Sequence, residues 1–518
     1  MKPIRLMRSF ATVGGWTLAS RILGFVRDIL MARYIGAGAV ADAFFVAFSL
    51  PNMFRRFFGE GAFNAAFVPM FTKKNTIDSA DAGAFARDAY WLMASVLILF
   101  SAIAMAAMPL LVWAMAAGFG GGDRFDMAVL FGRIAFPYIL FVSLTALLSG
   151  MLNATGRFAA AAAAPILLNA TFIASLFLAA HRGWPVGLTL AWAVPVGGVA
   201  QLVIVWIAVR RAGYSMRFRR PTLTPELKRL LIIAAPAVLA GGVVQINLIV
   251  GRQVASFTEN AISWLSYADR LYQLPLGVVG IAVGVVLLPE LARRLREGEV
   301  ERARDAFSRG MEFSLALTLP AAVALVVAAH PIISVLFERG AFTATDTANT
   351  ARALAIYGLG LPAFVLHKVL QPLFFAREDT RSPFRYALNS MVVNAVIAVS
   401  LMPFIGFTAA AWGTTLAGWA MVFQLWYGAR AMGEAARPDA RMRDRLWRII
   451  LASLFMGLCL WLAELALAPM LYGPGRSLAL LALVMAGIVS YFGLGAILGA
   501  FRLSDFRAAM RRGNENAG

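Results

Sequence analysis

The sequence predicts an all-α polytopic membrane protein of about fourteen transmembrane helices, with two six-helix repeats around a central cavity and two extra helices at the C-terminus. Three observations carry this. Of 518 residues, 60% are hydrophobic and only 14% charged, with a mean hydropathy of +0.74, far from the balance of a soluble globular domain. The apolar residues form long continuous runs instead of ten-residue alternating segments, which excludes a β-barrel. Similar segments recur, in the same order, at an offset near 220.

Spans are expected near residues 10–35, 40–72, 86–115, 126–153, 158–181, 186–209, 228–254, 261–292, 307–336, 348–375, 383–404, 406–430, 446–470 and 477–501. MKPIRLMRSF leads into an Arg-bearing amphipathic segment and reads as the start of the first span, not as a cleaved signal. Alternate connections hold Lys73, Lys74, Arg157, Arg210, Arg211, Arg217, Arg293, Arg294, Arg377, Arg381, Arg437 and Arg441, and both termini are basic too. The opposite connections hold little beyond Arg124, Arg182, Arg339 and Arg476. An excess of Lys and Arg marks the cytoplasmic side, so both termini are expected in the cytoplasm and the number of spans should be even.

The net charge of +20 follows from this topology; nucleic acid is not an expected partner. The single cysteine, Cys459, lies in an apolar run, and the three histidines, His181, His330 and His367, are scattered. Neither a disulfide framework nor a metal site is expected.

Ala41–Pro69 runs beside Ala261–Pro289 at an offset of 220, and Ala191, Trp192 and Gly198 match Ala411, Trp412 and Gly418. At an offset of 225, Pro137 matches Pro362 and Asn169 matches Asn394. The division expected is therefore a first six-helix repeat over residues 1–220, a second over 221–436, and two further helices with a cytoplasmic C-terminus over 437–518. Six is even, so the halves share one orientation, an arrangement found in transporters.

Charges inside the spans point to the function. A helix entering near Phe10 places Arg21 roughly 16 Å deep at 1.5 Å per residue, near the middle of the hydrocarbon core. Arg21 and Asp28 are only about 20° apart around that helix, whereas Arg27 points about 120° away from Arg21. The second span carries Asp42, Arg55, Arg56 and Glu60 with Pro51, Gly59 and Gly61; the eighth carries Asp269 and Arg270 near Pro275, Gly277 and Gly280. Charges at such depth cost at least about 2.5–3.5 kcal/mol each and face a polar interior. Pro/Gly-interrupted spans in corresponding places of two halves mark a central binding site.

Structural salt bridges, Arg21 with Asp28 and Arg270 with Asp269 or Asp42, are the bland account. Arg21, Arg27, Arg55, Arg56 and Arg270 outnumber the nearby acids, however, which leaves positive charge to be matched by a ligand. Guanidinium stays charged when partly buried and binds phosphate oxygens in pairs, so a diphosphate suits this set and a cationic drug does not. Arg56 points elsewhere than Arg55 and is the weakest member. Glu464 in span thirteen has no assigned role. Asn389 and Asn394 in span eleven offer no carboxylate for a cation, and Asn394 reads first as a packing position.

SRILGFVRD at 20–28, GAGAVADAFFVAF at 36–48, LPNMFRRFFGEGAFNAAFVP at 50–69 and YADRLYQLPLGVVGIAVGVVLLP at 267–289 closely resemble the MurJ/MviN family of lipid II flippases. The match continues through FPYIL, LNATGRF and FARED with the T-R-S-P that follows. The resemblance implies a fourteen-helix transporter of the multidrug/oligosaccharidyl-lipid/polysaccharide exporter superfamily. It implies a substrate, undecaprenyl-diphosphate-linked disaccharide-pentapeptide, moved from the cytoplasmic to the outer leaflet of the inner membrane for peptidoglycan synthesis. Arg21, Arg27, Arg55 and Arg270 correspond to the family's cavity arginines, and Ser20, Asp28, Asp42, Glu60, Ser263 and Asp269 fall at neighbouring motif positions. Gln273 departs from relatives that carry Glu.

The resemblance also implies a groove for the lipid tail on the last two helices, whose Gly457, Gly487, Gly493 and Gly495 serve equally as close-packing positions. The expected protein is no enzyme: it has no catalytic residues and no cofactor, and leaves room for coupling to the membrane potential or a monovalent cation. Lipid II and membrane lipids are the expected partners of a monomer, with room for cell-wall synthesis proteins. The rivals are an exporter of a drug or of another polyprenyl-diphosphate-linked glycan, and a membrane-integral glycosyltransferase, for which the long soluble loops are missing.

Overall fold

The computed structural model describes residues 3–55, 62–218, 220, 222–282 and 287–500. The helices, in chain order, are α1 (Pro3–Ile35), α2 (Ala39–Arg55), α3 (Ala62–Ile77), α4 (Ser79–Ala106), α5 (Met108–Ala116), α6 (Asp123–Ala135), α7 (Tyr138–Ala154), α8 (Ala159–Arg182), α9 (Val186–Arg211) and α10 (Pro225–Ser256). They continue as α11 (Ala261–Ala282), α12 (Leu288–Arg296), α13 (Val300–Val327), α14 (Ala329–Phe337), α15 (Ala344–Phe375), α16 (Arg381–Ile405), α17 (Thr408–Ala429), α18 (Ala440–Leu471) and α19 (Arg476–Ile497). No strand occurs among the described residues.

The helices start where the sequence supplies caps. Asp78 accepts from the Ala80 amide at 2.8 Å, Thr224 from Leu227 at 3.3 Å ahead of Pro225, and Asp439 from Met442 at 2.6 Å. Thr343 and Asp346 form a reciprocal capping box on α15. Each cap satisfies an amide that has no partner within the first turn.

Among the described residues, nine helical stretches are long and apolar enough to cross a membrane: α4, α6 continuing into α7, α8, α9, α13, α15, α16, α18 and α19. Three expected single spans are interrupted. The run 86–115 divides into α4 and α5 at Ala107, 126–153 into α6 and α7 at Phe136 and Pro137, and 307–336 into α13 and α14 at Ala328. Prolines at 109, 137 and 331 lie within three residues of these joints; a proline removes one helical donor and crowds the preceding turn.

The chain separates into two compact units: Met1–Ser263 with Arg339–Phe342, and Trp264–Glu338 with Thr343–Gly518. In the first, Phe44 and Phe48 meet Phe172 of α8 edge-on at 6.0 and 5.6 Å, and Phe67 stacks on Phe71 and Phe85. The segment Arg339–Phe342 belongs to this unit through a backbone clasp. The Ala341 amide donates to the Arg33 carbonyl at 2.9 Å, and Gly36 and Gly340, both left-handed at φ +63°, leave no room for a Cβ.

In the second unit, Phe307, Met311, Val369, Leu373, Leu425 and Met442 belong to one buried core. Glu312 of α13 anchors the foot of α18: Arg445 donates to it at 2.6 Å, and Arg309 bridges Glu312 to Asp439. A groove of about 240 Å³, lined by Pro320 and Ala324 of α13, Leu460 of α18, and Leu483, Gly487 and Tyr491 of α19, opens on this unit. Small residues permit close helix approach in both units. A Cβ at Gly198 of α9 would lie 2.7 Å from the Tyr138 ring, and one at Gly418 of α17 would lie 2.7 Å from Phe364.

Candidate functional site

The charged stretch of α1 is organised by one amide from α8. Arg27, 8% exposed, donates from Nε and Nη2 to Asp28 Oδ1 at 3.0 and 2.7 Å, and from Nη1 to Asn169 Oδ1 at 2.9 Å. Asn169 Nδ2 donates in turn to the Ser20 carbonyl at 3.0 Å. The guanidinium also stands 5.5 Å from the centre of the Phe172 ring. The site so formed brings together Ser20, Arg27 and Asp28.

Helical geometry puts Asp28 on the Arg21 side of α1, yet the pair that forms is Arg27 with Asp28. Sequence neighbours lie about 100° apart and do not ordinarily face each other. The long arginine stem lets the guanidinium fold back over the carboxylate while Asn169 fixes its other edge. Arg21 is exposed and makes no hydrogen bond or ion pair among the described residues. Its charge is therefore not cancelled by Asp28.

A second constellation gathers Asp42 and Ser263. Asp42, 0% exposed in the first turn of α2, accepts from the Ser263 amide at 2.9 Å and from its hydroxyl at 2.6 Å. Arg124 Nη1 approaches the other carboxylate oxygen at 3.7 Å, with its guanidinium over the Phe119 ring at 4.8 Å. Ala39, Asp123, Arg124, Glu259 and Asn260 line a polar cavity of about 360 Å³ beside it. Arg124 is a neighbour of Asp42 that the sequence does not single out; its one signal is that it is among the few basic residues in its set of connections. Arg252 of α10, which donates to the Phe45 carbonyl at 3.0 Å, gives no comparable signal.

Arg55 is half-buried in the last turn of α2. Glu60, with Arg56, Gly59 and Gly61, lies outside the described residues. Asp269 and Arg270 are half-buried on α11, in the second unit. Gln273 Nε2 donates to Asp269 Oδ2. The amide at this position thus acts as a donor, where a second carboxylate would repel the first. Near Glu464, His330 Nδ1 and the Tyr472 hydroxyl are 3.1 Å apart.

Outside the spans, Asp379 caps the turn into α16: its Oδ1 accepts from the Ser382 amide at 3.0 Å, and this bond holds its carboxyl below the usual aspartate range. Among the described residues, no grouping of three or more His, Cys, Asp or Glu is placed to hold a metal ion.

A family model described as "Lipid II flippase MurJ" matches residues 31–482. A probable lipid II flippase MurJ of Rhizobium tropici is 45% identical over 520 residues, covering 98% of this chain and 97% of that protein. The lipid II flippase MurJ of Burkholderia cenocepacia is 34% identical, covering 97% and 99%. Among solved structures, a lipid II flippase MurJ in an inward closed conformation superposes with a TM-score of 0.78 at 25% identity, covering 94% of this chain and 98% of that one. A multidrug resistance MATE family transporter of the MOP superfamily, inward-facing, gives a TM-score of 0.61 at 14% identity, which speaks to the fold alone. With a family model matched over most of its length and relatives of 45% and 34% identity covered almost end to end, this chain belongs to the lipid II flippase MurJ family.

Proposed function

We propose that this protein is a lipid II flippase of the bacterial inner membrane, which carries undecaprenyl-diphosphate-linked disaccharide-pentapeptide from the cytoplasmic to the outer leaflet by alternating access. It is a transporter, not an enzyme. The observation that carries the reading is Arg21, an intramembrane guanidinium without a counter-ion among the described residues, next to an Arg27 whose orientation is fixed by Asp28 and Asn169. Together they offer a phosphate-binding fork and an uncompensated charge on one helix. Arg55 serves the same diphosphate, and Arg270 joins the proposal on its sequence position alone. Ser20, Asp28, Asp42, Glu60, Ser263 and Asp269 serve as positioning groups around these arginines.

The proposed architecture is fourteen crossings with both termini cytoplasmic, a repeat over 1–220, a second over 221–436, and two added helices over 437–518. Helix boundaries support the duplication. α4 and α5, at 79–106 and 108–116, reappear as α13 and α14 at 300–327 and 329–337, a uniform shift of 221. Both pairs break after 28 residues and resume for nine. α10 nonetheless packs with the first compact unit, so that unit extends past the repeat boundary to Ser263.

In this reading the groove on α13, α18 and α19 takes the isoprenoid tail, because its lining is almost wholly apolar. The protein works as a monomer without a cofactor. Membrane potential biases the cycle by about 2.3 kcal/mol per elementary charge per 100 mV, and a monovalent cation is the other candidate drive.

The test is complementation of a strain depleted of its lipid II flippase with Arg21→Ala, Arg27→Ala, Arg55→Ala and Arg270→Ala, with membrane abundance measured for each. Loss of growth at normal abundance is expected. Growth of all four like the parent would sink the assignment. Arg27→Lys keeps the charge and loses the fork that holds Asp28 and Asn169, so its failure at normal abundance shows that an oriented guanidinium is required and charge alone is not enough.

A further inference from the structure

The half of α15 nearer its C-terminal end carries a polar edge that nothing in the preceding site uses. His367, Lys368 and Gln371 are half-buried there, while Val365, Val369, Leu370 and Leu373 around them are completely buried. At 100° per residue, Tyr357, Phe364, His367, Lys368 and Gln371 share an arc of about 100°. The two aromatic members of that arc meet Tyr272 of α11, with ring centres 5.0 and 5.5 Å away.

Beyond them the arc turns polar. Neither Lys368 nor Gln371 has a hydrogen bond or ion pair among the described residues. The sequence that follows Leu276 of α11, GVVGIAVGVV, holds no acid. Lys368 sits about 10 Å from the C-terminal end of α15, and a lysine in a membrane-crossing helix directs its ammonium to water or to an anion.

The register sets Lys368 at a different level from Arg270. Trp264 of α11 donates to Asp346 of α15 at 2.8 Å, and Tyr272 meets Tyr357 further along both chains, so the two helices run in the same direction. Aligning Tyr272 with Tyr357 or with Phe364 puts Lys368 roughly 9 to 20 Å beyond the level of Arg270. An anion that Arg270 holds and one that Lys368 holds are therefore different groups of one extended ligand.

We propose that Lys368, flanked by Gln371 and His367, forms a second anion subsite, which receives a carboxylate from the peptide part of the lipid-linked headgroup. This rests on the flippase reading. Lysine suits such a ligand, because a mobile point charge on a flexible stem can meet a carboxylate in many orientations, as a flexible peptide requires. Gln371 adds amide donors one turn on.

The experiment measures binding of three ligands to the full-length protein in nanodiscs: lipid II, undecaprenyl diphosphate, and lipid II with its peptide carboxylates amidated. Lys368→Met is expected to weaken lipid II binding about tenfold, the scale of one charge-assisted contact. It should leave undecaprenyl diphosphate within twofold of the parent, which also shows that the variant is folded. Amidated lipid II should bind the parent about tenfold more weakly than lipid II does, and Lys368→Met should not discriminate between the two; Lys368→Arg should retain most of the affinity.

Equal loss of lipid II and undecaprenyl diphosphate, or no loss of either, overturns the inference. Arg21→Ala separates the two readings. If it abolishes undecaprenyl diphosphate binding while Lys368→Met binds lipid II normally, only the second subsite is refuted. If the parent protein binds neither lipid, the flippase reading falls and takes this one with it.

Discussion

Arg27 and Asn169 lie 142 positions apart and share a 2.9 Å hydrogen bond, which the amide completes by donating to the Ser20 carbonyl. One side chain of α8 therefore sets the orientation of an intramembrane guanidinium on α1 and fastens the two helices together. Asn169→Ala leaves a buried charged donor unmatched, which costs about 1–3 kcal/mol. The expected outcome is a lower melting temperature in detergent together with loss of complementation at normal abundance. Asn169→Asp, which keeps the acceptor oxygen, should recover more of the stability than alanine does.

Ser263 gives Asp42 two bonds, one from its amide and one from its hydroxyl. Ser263→Ala removes only the second and is expected to destabilise the protein by about 1–2 kcal/mol. Asp42→Ala removes the acceptor of both and leaves Arg124 without its carboxylate, so its melting temperature should fall further. Equal melting temperatures for the two variants would show that the hydroxyl is the only bond of consequence.

The clasp between residues 33–36 and 339–342 is sensitive to a single methyl group. A Cβ on Gly36 would lie 2.4 Å from the Ala341 carbonyl oxygen, and one on Gly340 would lie 2.2 Å from that of Arg33. Backbone atoms cannot swing aside, and the left-handed conformation adds about 1–2 kcal/mol for any other residue. Gly36→Ala and Gly340→Ala should each lower the melting temperature clearly, whereas Gly38→Ala, with open space around it, should match the parent.

Asp379 supplies a pH dependence of known sign. Its carboxyl is held below the usual range by the Ser382 amide. The stability it contributes is therefore present above the pKa of the unfolded chain and lost as pH falls through the folded one. Melting curves of the parent and Asp379→Ala should be separated at neutral pH and converge below about pH 4. A gap that widens with acid would contradict the cap.

Gln273→Glu places a second carboxylate one turn from Asp269 and removes the donor that Asp269 uses. Like charges at that spacing cost a few tenths of a kcal/mol at an exposed position such as 273. The variant should melt lower than the parent, and Gln273→Ala, which removes the donor without adding a charge, should lie between the two.

Much of this was legible in the chain. Arg21, Arg27 and Asp28 stand out because charge in an apolar run is costly, whereas Asn169 is visible only as the match of Asn394, with no partner assigned to it. The choice of partner was not legible. Helical angles favoured Arg21 for Asp28, and only the approach of α8 decides for Arg27. Arg124 was hidden for a related reason: sequence assigns basic residues in a connection to topology, and a contact with Asp42 depends on how the start of α6 is placed against the start of α2. The joints at Ala107 and Ala328 escaped as well, since hydropathy does not distinguish a continuous crossing from one broken near a proline.

The open guanidinium of Arg21 also bears on how the protein is handled. On the role proposed for Arg21, a small oxyanion in the buffer would compete for the same donors, and apparent affinities for a pyrophosphorylated lipid would then depend on whether phosphate, sulfate or chloride is the bulk electrolyte. Preparations made in phosphate would start the titration already partly occupied, and they would understate how avidly the empty transporter takes up its cargo.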